Sequence, residues 1–547
     1  MTTHVTPQSA PAHAGTESGP ASVAGRGVTR AAWAGFGAVA LLAVLVFWAF
    51  DALPFQDLPA HAGLIAMRHR FASSGFEQRF YVLAPHIGPY SLFRFLGEGF
   101  VRVIGPVGAV RALATLPVIA TPLALLFARR RLYRDTSPTY GYVGVALSFG
   151  LMTLLGFASY LLGVAVMLVG LTLWLDLLVA ADDRSPDARR REITMAAFAP
   201  LMFVAHGHAF VLFLLCAGVS SIATGNRLRR ILRFRALVPA LGLAGWVAWI
   251  ERGATTPAGS VPVVPKLVPL FQDVSSKFTL LVTPTLMTRS GLDFMAGVVV
   301  WLFVIACTFF TVRSLRVERS EAVSAEVRHS RALLACALAV SVLFLALPHA
   351  VGWFGFVDGR LVPVVLFLAL LAIRRDVLPR PLRLGLEHGT RVVAFTMAAL
   401  ALVASYRFQA EAAGFREVLA KVPAESRLLN LPLDPNSDVF TAHPFVHYDK
   451  LVLAERPTVV SDVWFHQGSA LYPTPENPAL RLPASYSESD LKGIAWNEYP
   501  LDDWDYVLIR TRPLATQPYT PPSLTLAEHR GGWWLFRAQP LNARKER

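Results

Sequence analysis

The sequence predicts an all-α polytopic membrane protein of about eleven transmembrane helices that ends in a small periplasmic α/β domain, and three observations predict it. First, 54% of the 547 residues are hydrophobic and only 16% are charged, with a mean hydropathy of +0.46. A soluble chain carries roughly 25% charged residues, and one core cannot hide this much apolar surface, so lipid must be its solvent. Second, the basic residues fall in short Arg clusters between apolar runs: "ARRRLYR" (128–134), "DARRRE" (187–192), "NRLRRILRFR" (226–235) and "AIRRD" (372–376). Third, after residue 405 the long apolar runs stop, and short β-like stretches set off by Pro, Asn and Asp take over.

The net charge of +14 invites a nucleic-acid partner, but its distribution excludes one. Only six of the 51 basic residues are Lys, and the Arg clusters flank apolar runs, as the positive-inside rule expects of cytoplasmic loops. Cys216, Cys307 and Cys336 all lie inside apolar runs, which indicates neither a disulfide framework nor a zinc site.

Residues 1–28 are rich in Pro, Ser and small residues and predict a disordered cytoplasmic tail. The polytopic region is 29–405. Its first span, near 31–52, runs outward, and residues 53–106 form an outer loop with amphipathic helices. A second span near 107–128 returns to the Arg cluster at 129–134. Spans near 139–155 and 157–180 make a hairpin. The apolar stretch 193–223 is too long for one span, and both its flanks are Arg-rich, so it must be two short helices broken near "AHGHAF" (205–210). A further span lies near 236–251, an outer loop covers 252–292, and spans follow near 293–312, 332–348, 360–374 and 391–405. An odd count leaves residues 406–547 outside the cytoplasm. In that tail, "RFQAEAAGFREVLAKVPAES" predicts a helix stopped by Pro423, and "RLLNLPL", "PTVVSDVW", "DYVLIR" and "GGWWLFR" predict strands.

The first outer loop carries the most suggestive chemistry. In "PFQDLPAHAGLIAMRHRF" (54–71), Asp57, His61 and Arg68 share one stripe if the stretch is helical. Asp57 and His61 at i and i+4 could hold a divalent cation, magnesium or manganese, or serve as general base and proton-relay partner. Alternatively, Asp57 caps a helix whose first turn holds Pro59. Arg68, His69, Arg70 and Arg79 could bind a lipid phosphate or form a solvated basic face. "PHIGPYSLFRFLGEGF" (85–100) predicts a helix lying in the interface, with Arg94 at headgroup level. His206 and His208 sit in the broken hairpin, as intramembrane site residues or as a hydrogen-bonded helix break. Asp358 and Arg360, in "FGFVDGRLVP", stand at the outer end of a span as ligand contacts or a snorkelling pair. His443 and His447 ("HPFVH") have metal-compatible spacing but lie in a Pro-broken segment without further ligands.

Taken together, this layout resembles the GT-C superfamily of polytopic glycosyltransferases, including its aminoarabinose-transferase-like and protein-mannosyltransferase-like members, which take sugars from polyprenyl-phosphate donors. The resemblance rests on the acid after the first span, "AVRALATLP" (109–117) at the second span, the broken hairpin "AHGHAF", "GRLVP" (359–363) opening a late span, and the closing outer domain. It implies that Asp57 is the catalytic acidic residue, deprotonating the acceptor or helping to hold a metal, and that Arg360 contacts the donor phosphate. Two departures stand out: Leu58 where many members have Glu after the Asp, and His206 where the hairpin often has Lys. The Asp-x-x-x-His form is similar to bacterial membrane proteins related to this superfamily. The expected function is transfer of a sugar from a polyprenyl-phosphate donor to an envelope acceptor at the periplasmic face of the bacterial inner membrane. The alternatives are a non-catalytic scaffold or a transporter of lipid-linked glycans in envelope polysaccharide assembly. A transporter would call for repeated halves, and the sequence has no internal repeat.

Overall fold

The structure is a computed structural model that describes residues 22–83, 87–179, 186–224, 232–253, 257–261, 267–317, 324–352, 354–464, 471–513 and 515–539. The predicted tail lies outside the described residues up to position 21. Helix α1 (Ser22–Trp48) starts before the expected boundary at 29. After it come α2 (Leu58–Arg70), α3 (Gly75–Phe80), strand β1 (Tyr81–Leu83) and the long α4 (Ser91–Tyr133). The interfacial stretch and the second span are separate helical segments, as the sequence predicts: α4 is broken by a kink at Gly105, whose backbone is not helical. Gly105 has φ +69°, open to glycine without steric cost, and Pro106 after it has no N–H to donate.

The expected span 139–155 is likewise two short helices, α5 (Thr139–Ala146) and α6 (Leu151–Leu154), because the chain between them leaves helical geometry to pair with another segment: Leu151 N–H donates to Thr283 O at 2.9 Å. α7 (Ala158–Val179) follows, then the broken hairpin of α8 (Pro186–Ala205) and α9 (Gly207–Ala223), interrupted at His206. Later helices are Val238–Gly253, Gly291–Val317, Ala325–Ala346, Leu361–Ala372 and Thr390–Glu411. Among the described residues, six helices are long and apolar enough to cross a membrane, and Gly207–Ala223 and Leu361–Ala372 are shorter apolar helices. The protein is a multi-pass, mostly helical membrane protein. The Arg-rich ends meet on one side: Arg129 donates to the carbonyls of Leu371 and Ile373, and Arg375 pairs with Asp135.

The last apolar helix runs on to Glu411 before the C-terminal domain begins. That domain holds a five-stranded sheet in the order β5 (Thr458–Val460), β4 (Ser426–Pro432), β7 (Tyr506–Arg510), β9 (Trp533–Ala538), β8 (Leu524–Arg530). β4 is parallel to both β5 and β7, and β9 is antiparallel to β7 and β8. The sheet does not stand off from the membrane part. Strand β6 (Leu471–Pro473) pairs with β1 of the first outer loop, just as the short strands β2 (Pro269–Leu270) and β3 (Ala350–Val351) pair with each other. Tyr448 donates to Leu53 O at 2.8 Å, and one continuous apolar core runs from α1, α2 and α4 into β4, β7 and β9.

The turn between α1 and α2 is fixed by two polar clamps. The amide of Gln409 donates to Ala52 O and accepts from Ala52 N–H. Arg111, in the second span, caps the end of α1 by donating to Phe50 O at 2.7 Å and Asp51 O at 3.0 Å. Those carbonyls follow the end of α1 and have no helical partner, so Arg111 supplies donors that the chain leaving the helix lacks. Arg111→Met should therefore lower stability by about 2 kcal/mol or more, the usual cost of orphaned buried acceptors, and Arg111→Lys should recover part of it. Thermal unfolding of the purified variants in detergent checks this.

Candidate functional site

Asp57 takes the N-cap position of α2, with Pro59 in the first turn as the capping alternative expects, but its side chain makes no capping hydrogen bond and is left for the cavity. Backbone contacts hold the residue: Gln56 N–H donates to Leu154 O at 2.9 Å and Asp57 N–H to Leu155 O at 3.2 Å. Gly156 closes this contact with φ +82°, and a Cβ on it would lie 2.8 Å from the Asp57 nitrogen. α2 buries Leu58, Ala62, Ile65 and Met67, which turns the stripe of Asp57, His61 and Arg68 toward a cavity.

The cavity has a volume of about 360 Å³, and α2, the start of α4, the α6–α7 turn, the hairpin break, residues 354–360 and the outer domain enclose it. Its polar lining is one carboxylate (Asp57), three guanidinium groups (Arg68, Arg94, Arg360) and three imidazoles (His61, His206, His447); most of the remainder is aromatic or aliphatic. The excess of cations in an apolar chamber selects for an anion. Arg360 is 6% exposed, and its guanidinium lies over the rings of Phe157 and Phe354, 4.3 and 4.0 Å from their centroids. One Nη donates to Gly355 O, and Nε has no hydrogen-bond partner among the described residues. Arg68 pairs with Glu98 at 2.7 Å, while its Nη1 lacks a partner. His206 is 1% exposed, with Tyr90 and Tyr160 edge-on to its ring at 4.6 and 5.3 Å. Two cavity residues, Tyr90 (φ +74°) and Phe356 (φ +55°), occupy left-handed backbone that costs an L-residue about 1–2 kcal/mol. Such strain concentrates where a surface is shaped for a ligand.

Burial raises the Asp57 carboxyl to about 6 against the lowering pull of His447 and Arg360. His447 comes from the C-terminal domain. Burial alone would depress it, but Glu488 and Asp57 outweigh burial and raise it. Its Nδ1 lies 3.0 Å from Glu488 and its Nε2 3.7 Å from Asp57.

Five of the residues expected from the sequence thus share the cavity: Asp57, His61, Arg68, His206 and Arg360. Others do not. Arg79, on α3, is largely exposed and pairs with Glu476 in a different surface groove. Asp358 is fully buried between Lys277 and His349 and accepts from Gly359 N–H, so it holds the turn before Arg360 and does not face a ligand. His208 packs behind Tyr160 and Phe354. Arg70 is held by Glu77, and His69 is exposed. His443 bonds Asn436, so His443 and His447 do not converge on a metal. The Asp57–His61 cation site does not fit either: the His61 ring lies 5.0 Å from both Phe93 and Trp464, and no group of three or more His, Cys, Asp or Glu among the described residues is placed to hold a metal. No step is routed through a cation. His447, Tyr90, Tyr160 and Trp464 are site residues that the sequence reading missed as such.

The fold is GT-C-like. The ArnT structure from Cupriavidus metallidurans bound to undecaprenyl phosphate superposes with a TM-score of 0.52 at 13% identity, covering 94% of this chain and 98% of that one. Weaker similarities are the arabinofuranosyltransferase AftD from Mycobacteria (TM-score 0.46, 14% identity, 92% of this chain and 40% of that one) and the Archaeoglobus fulgidus oligosaccharyltransferase (0.43, 12%, 87% and 68%). Neither a protein-family model nor a curated protein matches the sequence.

Gly156→Ala should press on the Asp57 backbone and occupy disfavoured φ, lowering stability by at least about 1–2 kcal/mol. Gly37→Ala in α1, where a Cβ meets nothing within 4 Å, should stabilise by up to about 1 kcal/mol. Parallel melting curves of the two variants provide the check.

Proposed function

We propose that this protein is a membrane glycosyltransferase that takes a sugar from a polyprenyl-phosphate donor in the Asp57–Arg360 cavity and passes it to an envelope acceptor on the periplasmic side. The observation that carries the reading is Arg360: a buried guanidinium between two aromatic rings, with donor capacity left over, facing a chamber whose one carboxylate is Asp57. A planar fork suits two phosphate oxygens at once. That ArnT shares this fold and holds undecaprenyl phosphate makes this lipid the first ligand to test. The Arg clusters at the opposite helix ends support the orientation, with cavity and outer domain away from the cytoplasm.

In the reaction, the acceptor oxygen forms a bond to the sugar's anomeric carbon while the bond from that carbon to phosphate oxygen breaks. The phosphate leaves as an anion that Arg360, with Arg68 and Arg94 nearby, stabilises. The acceptor's proton goes to Asp57. A carboxylate raised to about 6 is still mostly ionised at neutral pH, yet it is a stronger base than an ordinary one.

Arg360→Lys keeps the charge and loses the fork, so affinity for undecaprenyl phosphate in nanodiscs should fall, and Arg360→Ala should reduce it further. Equal affinity in wild type, Lys and Ala would remove Arg360 from the donor site and favour the scaffold alternative. Asp57→Asn should leave that binding in place and cut transfer on the order of a hundredfold or more. In wild type, transfer should decline as pH drops through about 6, because the protonated carboxyl cannot accept a proton. A rate measured across pH 5–8 tests this, and a flat profile would rule out Asp57 as the base.

A further inference from the structure

The wall opposite Asp57 belongs to the outer domain and holds a buried polar chain that the transfer step above does not use. His447 is 8% exposed and lies edge-on to Trp464, 5.5 Å between centroids. Glu488 accepts from its Nδ1 at 3.0 Å, which leaves Nε2 toward Asp57 Oδ1 at 3.7 Å. Glu488 is itself fixed by Lys450, by the Tyr486 hydroxyl at 2.9 Å and by the Asn430 amide at 3.2 Å, and Lys450 also pairs with Asp449 at 3.1 Å. The geometry selects a tautomer: with Nδ1–H donated to Glu488, the Nε2 lone pair and the Asp57 carboxylate face each other and are mutually repulsive unless they share a proton.

We propose that His447 is the proton partner of Asp57, so that the outer domain completes the acid–base machinery of the membrane site. The inference rests on the transferase reading of the cavity. The acceptor's hydroxyl proton, released as its oxygen bonds the anomeric carbon and the phosphate departs with the bonding pair, passes to Asp57 and then to His447 Nε2. The imidazolium is held by Glu488 and returns the proton to solvent between turnovers; no further reactant is needed. The charges facing the pair are Arg360 on Asp57, and Glu488 and Lys450 on His447, with Asp449 and Asp462 beyond them.

The test is reciprocal and needs no sugar donor. Dicyclohexylcarbodiimide modifies protonated carboxyls in apolar sites, and diethyl pyrocarbonate modifies neutral imidazoles; both are read by peptide mass spectrometry on the full-length protein in detergent across pH 5–8. In wild type, Asp57 labelling should fall with a midpoint near about 6. In His447→Gln that midpoint should move up by about one unit, since a nearby cation is lost. In the isosteric Asp57→Asn, the midpoint of His447 modification should move down. Adding imidazole to His447→Ala should return the Asp57 midpoint toward the wild-type value. Unmoved midpoints in the Gln and Asn variants would overturn the coupling, and if the Gln protein does not fold, the Asn arm decides. Undecaprenyl phosphate added to wild type separates the two readings. A midpoint of Asp57 labelling moved up on its addition, as the phosphate takes up the Arg360 cation, supports the transferase reading; an unmoved midpoint overturns that reading and leaves the variant arms to decide the coupling.

Discussion

A bilayer-spanning chain has no water with which to satisfy its backbone, so it can leave helical geometry at membrane depth only where other protein groups or a polar cavity take over. Much of this structure follows from that constraint. The α5–α6 break, the α8–α9 break at His206, the turn at 156 and the segment 354–360 are irregular, and the last three of these border one cavity. Three of these breaks are satisfied by a specific partner: Leu151 N–H donates to Thr283 O, Asp57 N–H to Leu155 O, and the Tyr160 hydroxyl to the carbonyl of Arg360. The site is therefore where the helices stop, and its residues are held by hydrogen bonds that the helices no longer supply.

The C-terminal domain adds a second constraint. A cluster of Lys450, Asp449, Glu488 and His447, all buried, is a costly way to build a domain core, since desolvating paired charges often cancels their attraction. An apolar cluster of the same volume would hold β4 and the helix beside it at least as well. What an ionic cluster does better is fix direction: Glu488 is anchored from several sides, so the His447 ring is aimed at α2. Removing one member would strand the others, at a cost of about 3–5 kcal/mol. Docking is thus cooperative. The β1–β6 pair, the Tyr448–Leu53 bond and the shared apolar core all bring the same wall to the same cavity.

Local pattern explains what could be read from the sequence. The stripe of Asp57, His61 and Arg68 follows from helical spacing, the hairpin break from length and flanking charge, and β4, β5, β7 and β9 from short apolar runs between turn residues. β8 was missed because "LTLAEHR" exposes most of its side chains and so looks like a loop. The kink that divides α4 at residue 105 follows from the Gly-Pro pair, which usually ends a helix. Asp358 and Arg360 look alike as a pair at a span end. Only the positions of Lys277 and His349, which no spacing rule supplies, show that the acid is spent on structure and the base is not. His447 was out of reach for the same reason: its partner Asp57 lies at the other end of the chain.

The electrostatic balance of the cavity follows from what each group can find nearby. Arg68 has Glu98, whereas Arg360 has rings above and below and a carbonyl, so its charge is dispersed over π-faces and left largely uncompensated. Such a cation is costly to keep empty and gains most from a ligand with two adjacent anionic oxygens. Asp57 faces the converse situation. Burial favours its neutral form, Arg360 and His447 favour its ionised form, and the two effects leave it near the middle of the physiological range. A phosphate entering beside Arg360 would take up that cation and make Asp57 a stronger base at the moment a donor is bound. Donor binding and base strength are then linked through one guanidinium, so the carboxylate is most reactive toward an acceptor when there is a sugar to transfer.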